Sequence, residues 1–171
     1  MVEVVKRSGV IIVRALLLGL AYVLVSSAAL AQGVVYVNGG ATGANSGSSW
    51  IDAFVSLQDA LATVQIGDEI WLASGTYHPD DGAFVEFGDT DTSFVIPGGV
   101  SLYGGFAGIE TERNERDFTV FKTVLSGDLL ENDAGELDPE NPLMMDNSRH
   151  VVRSSSLSDF REASFLNSTG C

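Results

Sequence analysis

The stretch Leu57–Pro79, LQDALATVQIGDEIWLASGTYHP, changes its period midway. Phe54, Leu57, Leu61 and Val64 recur at three or four residue spacing, which places them on one face of a helix. Ser56-Leu57-Gln58-Asp59 has the form of a capping box, the serine accepting from the Asp59 N–H while the carboxylate reaches back. With Gly67 as the stop, the pattern predicts a helix over 57–65 with one apolar face, too short to stand alone. After Gly67-Asp68 the period drops to two. Glu69–Ala73 reads as a strand with Ile70 and Leu72 on the inner face and Trp71 on the other. Gly75 then opens a bend against which Tyr77 packs, and Asp68 and Glu69 read as turn and surface residues.

The unit recurs on both sides. Val35-Tyr36-Val37-Asn38-Gly39, Ile70-Trp71-Leu72-Ala73-Ser74-Gly75, Val100-Ser101-Leu102-Tyr103-Gly104 and Thr123-Val124-Leu125-Ser126-Gly127 each present apolar-x-apolar followed by glycine. His150-Val151-Val152-Arg153 is a fifth member without the glycine. Between Val37 and the helix lies ATGANSGSS, a loop with no apolar period. The strands are separated by uneven intervals of about 20 to 35 residues, too long for a meander and without tight Asn-Gly or Asp-Gly hairpins. A two-sheet sandwich competes, since it too uses short strands and turn signals. Strands that return a full circuit later to pair in parallel explain the intervals better, and the expected fold is an all-β solenoid. The helix at 57–65 then plugs its open first end.

These residues resemble a known group. The capping helix, Gly-Asp, apolar strand and Gly-Thr-Tyr of Leu57–Pro79 are similar to the opening of secreted right-handed parallel β-helix proteins of the pectate-lyase-like superfamily. VYVNGGATGANSGSSWIDAF before it, and FVIPGGVSLYGGFAGIETERNERDF and TVLSGDL after it, extend the resemblance over residues 34–153. It implies a cell-surface or extracellular protein whose partners are polysaccharide or cell-envelope components. It speaks to fold far more than to activity. The chain departs from the pattern at SSSLSDFREASFLNSTGC, where glycine nearly vanishes, which suggests a truncated or frame-shifted product.

The organisation expected is a signal peptide at 1–31, the cap and first coils at 32–153, and an irregular tail at 154–171. Lys6, Arg7 and Arg14, the run ALLLGLAYVLV and the triplet Ala29-Leu30-Ala31 carry the leader, with cleavage before Gln32 and a secreted or cell-surface product. The apolar run is short for a membrane span, and no later segment could cross a bilayer as a helix. The leader holds three of nine basic and one of 23 acidic residues, leaving 6 − 22 = −16. That charge argues against nucleic acid as a partner. Cys171 is the single cysteine, so no internal disulfide is available.

Each candidate chemical group also has a plainer structural reading. Asp80-Asp81 and Asp89-x-Asp91 could suggest the paired acids of a glycosidase, yet they fall in loops with no Lys or Arg from 33 to 112. Arg113, Arg116, Arg149 and Arg153 match no lyase motif and are expected to pair with acidic neighbours, ETERNERDF alternating in charge and reading as an exposed loop. Asp128, Glu131, Asp133, Glu136, Asp138 and Glu140 have the oxygen density that suits Ca²⁺, although the EF-hand spacing fails at Leu130, Ala134 and Gly135. His78 and His150 are too isolated for zinc, and the Asn167-Ser168-Thr169 sequon carries little weight. Trp50, Trp71, Tyr77 and Tyr103 read as packing residues before sugar platforms. No catalytic, cofactor or metal residue is assigned. The expected function is an exported, non-catalytic β-helix segment, structural or carbohydrate-contacting; the alternative is the leading part of a polysaccharide lyase or glycoside hydrolase whose catalytic coils lie beyond Cys171.

Overall fold

The computed structural model describes residues 32–133 and 142–156. The chain divides into two units, Met1–Ala31 and Gln32–Cys171, and every described residue belongs to the second. The leader, the acidic positions Glu136, Asp138 and Glu140, the sequon and Cys171 lie outside the described residues.

The described chain is mainly strand, with one short α-helix. In order it forms β1 (Val34–Val37), α1 (Leu57–Leu61), β2 (Glu69–Ala73), β3 (Gly75–Tyr77), β4 (Phe94–Ile96), β5 (Ser101–Phe106), β6 (Thr123–Leu125) and β7 (Val152–Ser154). Every pair of these strands that shares a ladder is parallel. Such ladders require long crossovers, which accounts for the uneven loops and removes the hairpin-built sandwich. The sheets hold β1-β2-β5, β3-β6 and β4-β7, and among the described residues none closes on itself.

The first three repeat units stack as the sequence predicts, with Val35 beside Ile70 and Ile70 beside Leu102. The fourth and fifth do not join them. Thr123–Leu125 pairs with Gly75–Tyr77, and Val152–Ser154 with Phe94–Ile96. Their partners are three-residue strands too short to declare themselves by period. β7 also carries regular structure through Ser154, one residue into the expected tail.

Helix α1 ends at Leu61 and not at 65. Its C-cap is Ala62, and the Thr63 N–H and hydroxyl both return to the Ala60 carbonyl, which closes the turn and draws the chain off the helical path. Gly67 is therefore not the stop. Its φ of +98° belongs to the turn into β2, where its N–H donates to the Gly99 carbonyl. The capping box is half formed: the Ser56 hydroxyl accepts from the N–H groups of Gln58 and Asp59, while the Asp59 carboxylate accepts from the Ala83 N–H. The apolar face survives the shortening. Leu57, Ala60, Leu61 and Val64 are buried with Val37, Phe54, Ile70, Leu72, Tyr77 and Phe94 in one core. Each large side chain so buried contributes about 1.5–3 kcal/mol.

Candidate functional site

Parallel register puts Tyr36, Trp71 and Tyr103 side by side on the outer face of β1-β2-β5. The face is covered from within the chain. Trp50 comes over it from the loop after β1, its ring 4.8 Å from Tyr36 and 5.6 Å from Phe106. Phe106 reaches the same layer because β5 carries three steps, Tyr103 to Phe106, against two in β2, Trp71 to Ala73. Gly104-Gly105 absorbs the extra residue, with Gly105 at φ +93°. Phe106 then stacks on Trp71 at 4.8 Å and 8°. Trp50 donates its indole N–H to the Glu110 carbonyl at 2.8 Å, and Trp71 to the Glu69 carboxylate at 2.9 Å. With both indole N–H groups bonded internally, the rings form a packed layer.

At the open end of this row, Tyr103 lies under two arginines, with Arg113 at 4.8 Å and Arg116 at 5.2 Å from the ring centroid. Arg113 also joins Glu69 at 2.7 Å and the Tyr103 hydroxyl at 3.1 Å. Glu69 is thus a partly covered bridging group, only 14% exposed along its side chain, where the sequence suggested a surface residue. Asp68 does hold the turn. It accepts from the Gly33 N–H at 3.0 Å and the Gln65 N–H at 2.8 Å, tying the start of β1 to the approach to β2.

No family model, curated protein or solved structure matches this chain. Function must be read from its own geometry.

Of the acids that the sequence raised as candidates, Asp80, Asp89 and Asp128 accept backbone N–H groups, while Asp81 and Asp91 face basic side chains. Asp80 is buried and accepts from the Gly88 N–H, whereas its neighbour Asp81 is exposed and lies 3.6 Å from His78. Asp89 accepts from the Asp91 N–H and the Thr92 hydroxyl, and Asp91 pairs with Arg149 at 3.2 Å in the open. Asp128 caps the N–H groups of Asn132 and Asp133. Among the described residues, no group of three His, Cys, Asp or Glu side chains is placed to hold a metal ion. His78 is buried, with Glu131 3.7 Å from its Nε2, while His150 is exposed.

Arg113 and Arg149 do pair with acids, Glu69 and Asp91, but among the described residues no such pair forms within ETERNERDF itself. Burial works to raise the Glu110 carboxyl, but the N–H groups of Ala107, Ile109 and Gly108 outweigh it and hold it below its usual range. Glu115 is lowered by the N–H groups of Glu112 and Thr111, and Asp117 by the Thr119 hydroxyl and N–H. Turn backbone offers unpaired N–H donors close at hand, and a carboxylate that takes them is no longer directed at a flexible arginine. Sequence spacing gave no sign of this competition.

Tyr77 is buried, its hydroxyl donating to the Ala73 carbonyl at 3.0 Å. Burial pushes its hydroxyl up to about 12. The folded value lies above the ordinary one of about 10, so its contribution is complete below pH ~10 and disappears as pH rises through ~12. Between those limits the wild type should lose about 2–3 kcal/mol more unfolding free energy than Tyr77→Phe. Urea titrations at the two pH values measure this, and parallel losses would contradict the burial account.

Proposed function

We propose that this chain is the opening part of a secreted right-handed parallel β-helix, similar to the pectate-lyase-like group, serving as a non-catalytic structural segment of a cell-surface or extracellular protein. One observation carries the reading. The triplet β2-β3-β4 pairs in chain order with the triplet β5-β6-β7, each strand parallel to its counterpart. A right-handed winding follows from the twist of parallel crossovers. Helix α1, buried between β1 and β4, is suited to cover the first circuit.

The internally bonded aromatic layer favours the structural role over a sugar platform on that face. The candidate acids favour it over catalysis, because a glycosidase pair must present two carboxyl groups to one sugar, and Asp80 and Asp81 differ in exposure and partners. Its surroundings would be polysaccharide and other cell-envelope material outside the cell. No described helix is long and apolar enough to cross a membrane. Incubated with pectate or polygalacturonate, with and without Ca²⁺, the chain should release neither unsaturated products nor new reducing ends. Turnover above a no-protein control would overturn the non-catalytic reading.

A further inference from the structure

The chain is strongly acidic, yet its cations are not spread evenly. Arg116 and Lys122 line one pocket of about 430 Å³ together with Phe118, Val124 and the Gly104-Gly105 backbone. Neither cation has a carboxylate partner among the described residues. Arg116 reaches only the Gly104 carbonyl, at 3.4 Å, and the Tyr103 ring. The Lys122 carbonyl is fixed by the Gly75 N–H at 3.0 Å, which holds its backbone in place, while its ammonium is exposed and unpaired among the described residues. The nearest acids in sequence, Glu115 and Asp117, are occupied by backbone and hydroxyl donors. Phe118 is 69% exposed beside them.

Two cations with no carboxylate partner among the described residues line the same pocket, and the chain's acidic charges farther off than about 8–10 Å are screened at physiological salt. The guanidinium offers a planar fork for an oxyanion and the ammonium a mobile point charge. The exposed phenyl ring adds a flat apolar wall, and the volume falls in the range of small-ligand sites, roughly 300–1,000 Å³. We propose that this pocket binds an oxyanion carried on a flat, partly apolar body, either an aryl ring or a sugar ring.

Calorimetry on the full chain at low salt, with phenyl phosphate and glucuronate as probes and benzyl alcohol as the uncharged control, tests it. Saturable binding of at least one anion is expected, with a dissociation constant of about 1 mM or tighter, and none of benzyl alcohol. Tighter binding of phenyl phosphate assigns the aryl source, and tighter binding of glucuronate the sugar source. Lys122→Ala and Lys122→Glu alter an exposed side chain, should keep the wild-type circular dichroism, and should weaken binding about tenfold or more. No saturable heat with either anion, or equal binding by wild type and both Lys122 variants, would overturn the proposal.

Discussion

Replacing Phe94 by alanine should cost about 3–5 kcal/mol of unfolding free energy, the range for a large aromatic removed from a closed core. Phe94 is fully buried, although it belongs to a strand of only three residues. Its N–H donates to the Val151 carbonyl, while its ring joins Leu57, Leu61, Ile70 and Tyr77 in the shared core. The residue therefore ties the β4-β7 sheet to α1 and to β2. Val95 on the same strand is 44% exposed, and Val95→Ala should cost below about 1 kcal/mol. Urea unfolding of the two variants measures the contrast. Equal, small losses would mean that β4 lies outside the core.

Gly47→Val should be comparably severe, at about 2–5 kcal/mol, for two separate reasons. The backbone stands at φ +72°, and a Cβ would lie 2.6 Å from the Phe54 ring and 2.9 Å from the Val35 side chain. Gly47 cannot move away easily, because its carbonyl accepts from the Tyr36 N–H and its own N–H donates to the Asp52 carbonyl. Gly88 separates the two causes. It also has positive φ, +79°, but a Cβ there would meet nothing within 4 Å, so Gly88→Ala should show only the conformational cost of about 1–2 kcal/mol. If both variants lose the same amount in urea titrations, steric contact at Gly47 plays no part.

What could be read from the sequence was what is local. The Ser56 cap, the alternation in Glu69–Ala73 and the burial of Ile70 and Leu72 follow from neighbours a few residues apart, and the structure has them as expected. Stacking of Val35, Ile70 and Leu102 was legible because all three units carry the same apolar-x-apolar signature. The placement of β6 and β7 was not. Their partners β3 and β4 show too little alternation to register, and Thr123 finds Gly75 only through a crossover that includes β4 and β5. The helix end turned on one threonine hydroxyl, and the ETERNERDF acids turned on backbone donors whose position depends on the folded turn. Among the described residues, Arg116 and Lys122 have no carboxylate partner. Their signal in the sequence was limited to Arg113, Arg116 and Lys122 occurring close together in a chain otherwise poor in positive charge.

The central claim is that one strand triplet lies on the next in chain order, and the pairing of β3 with β6 is where it departs most from a simple repeat count. Thr76 and Val124 are register partners on those strands, and both are exposed. Parallel neighbours stand about 4.8 Å apart, within the Cα range of roughly 4.4–6.8 Å that a disulfide spans. With Cys171→Ser in the background, Thr76→Cys combined with Val124→Cys should oxidise to an intramolecular disulfide, detected by mass spectrometry of the non-reduced tryptic digest. Two free thiols after mild oxidation of the folded protein would contradict the pairing, and with it the ordered stacking of the two triplets.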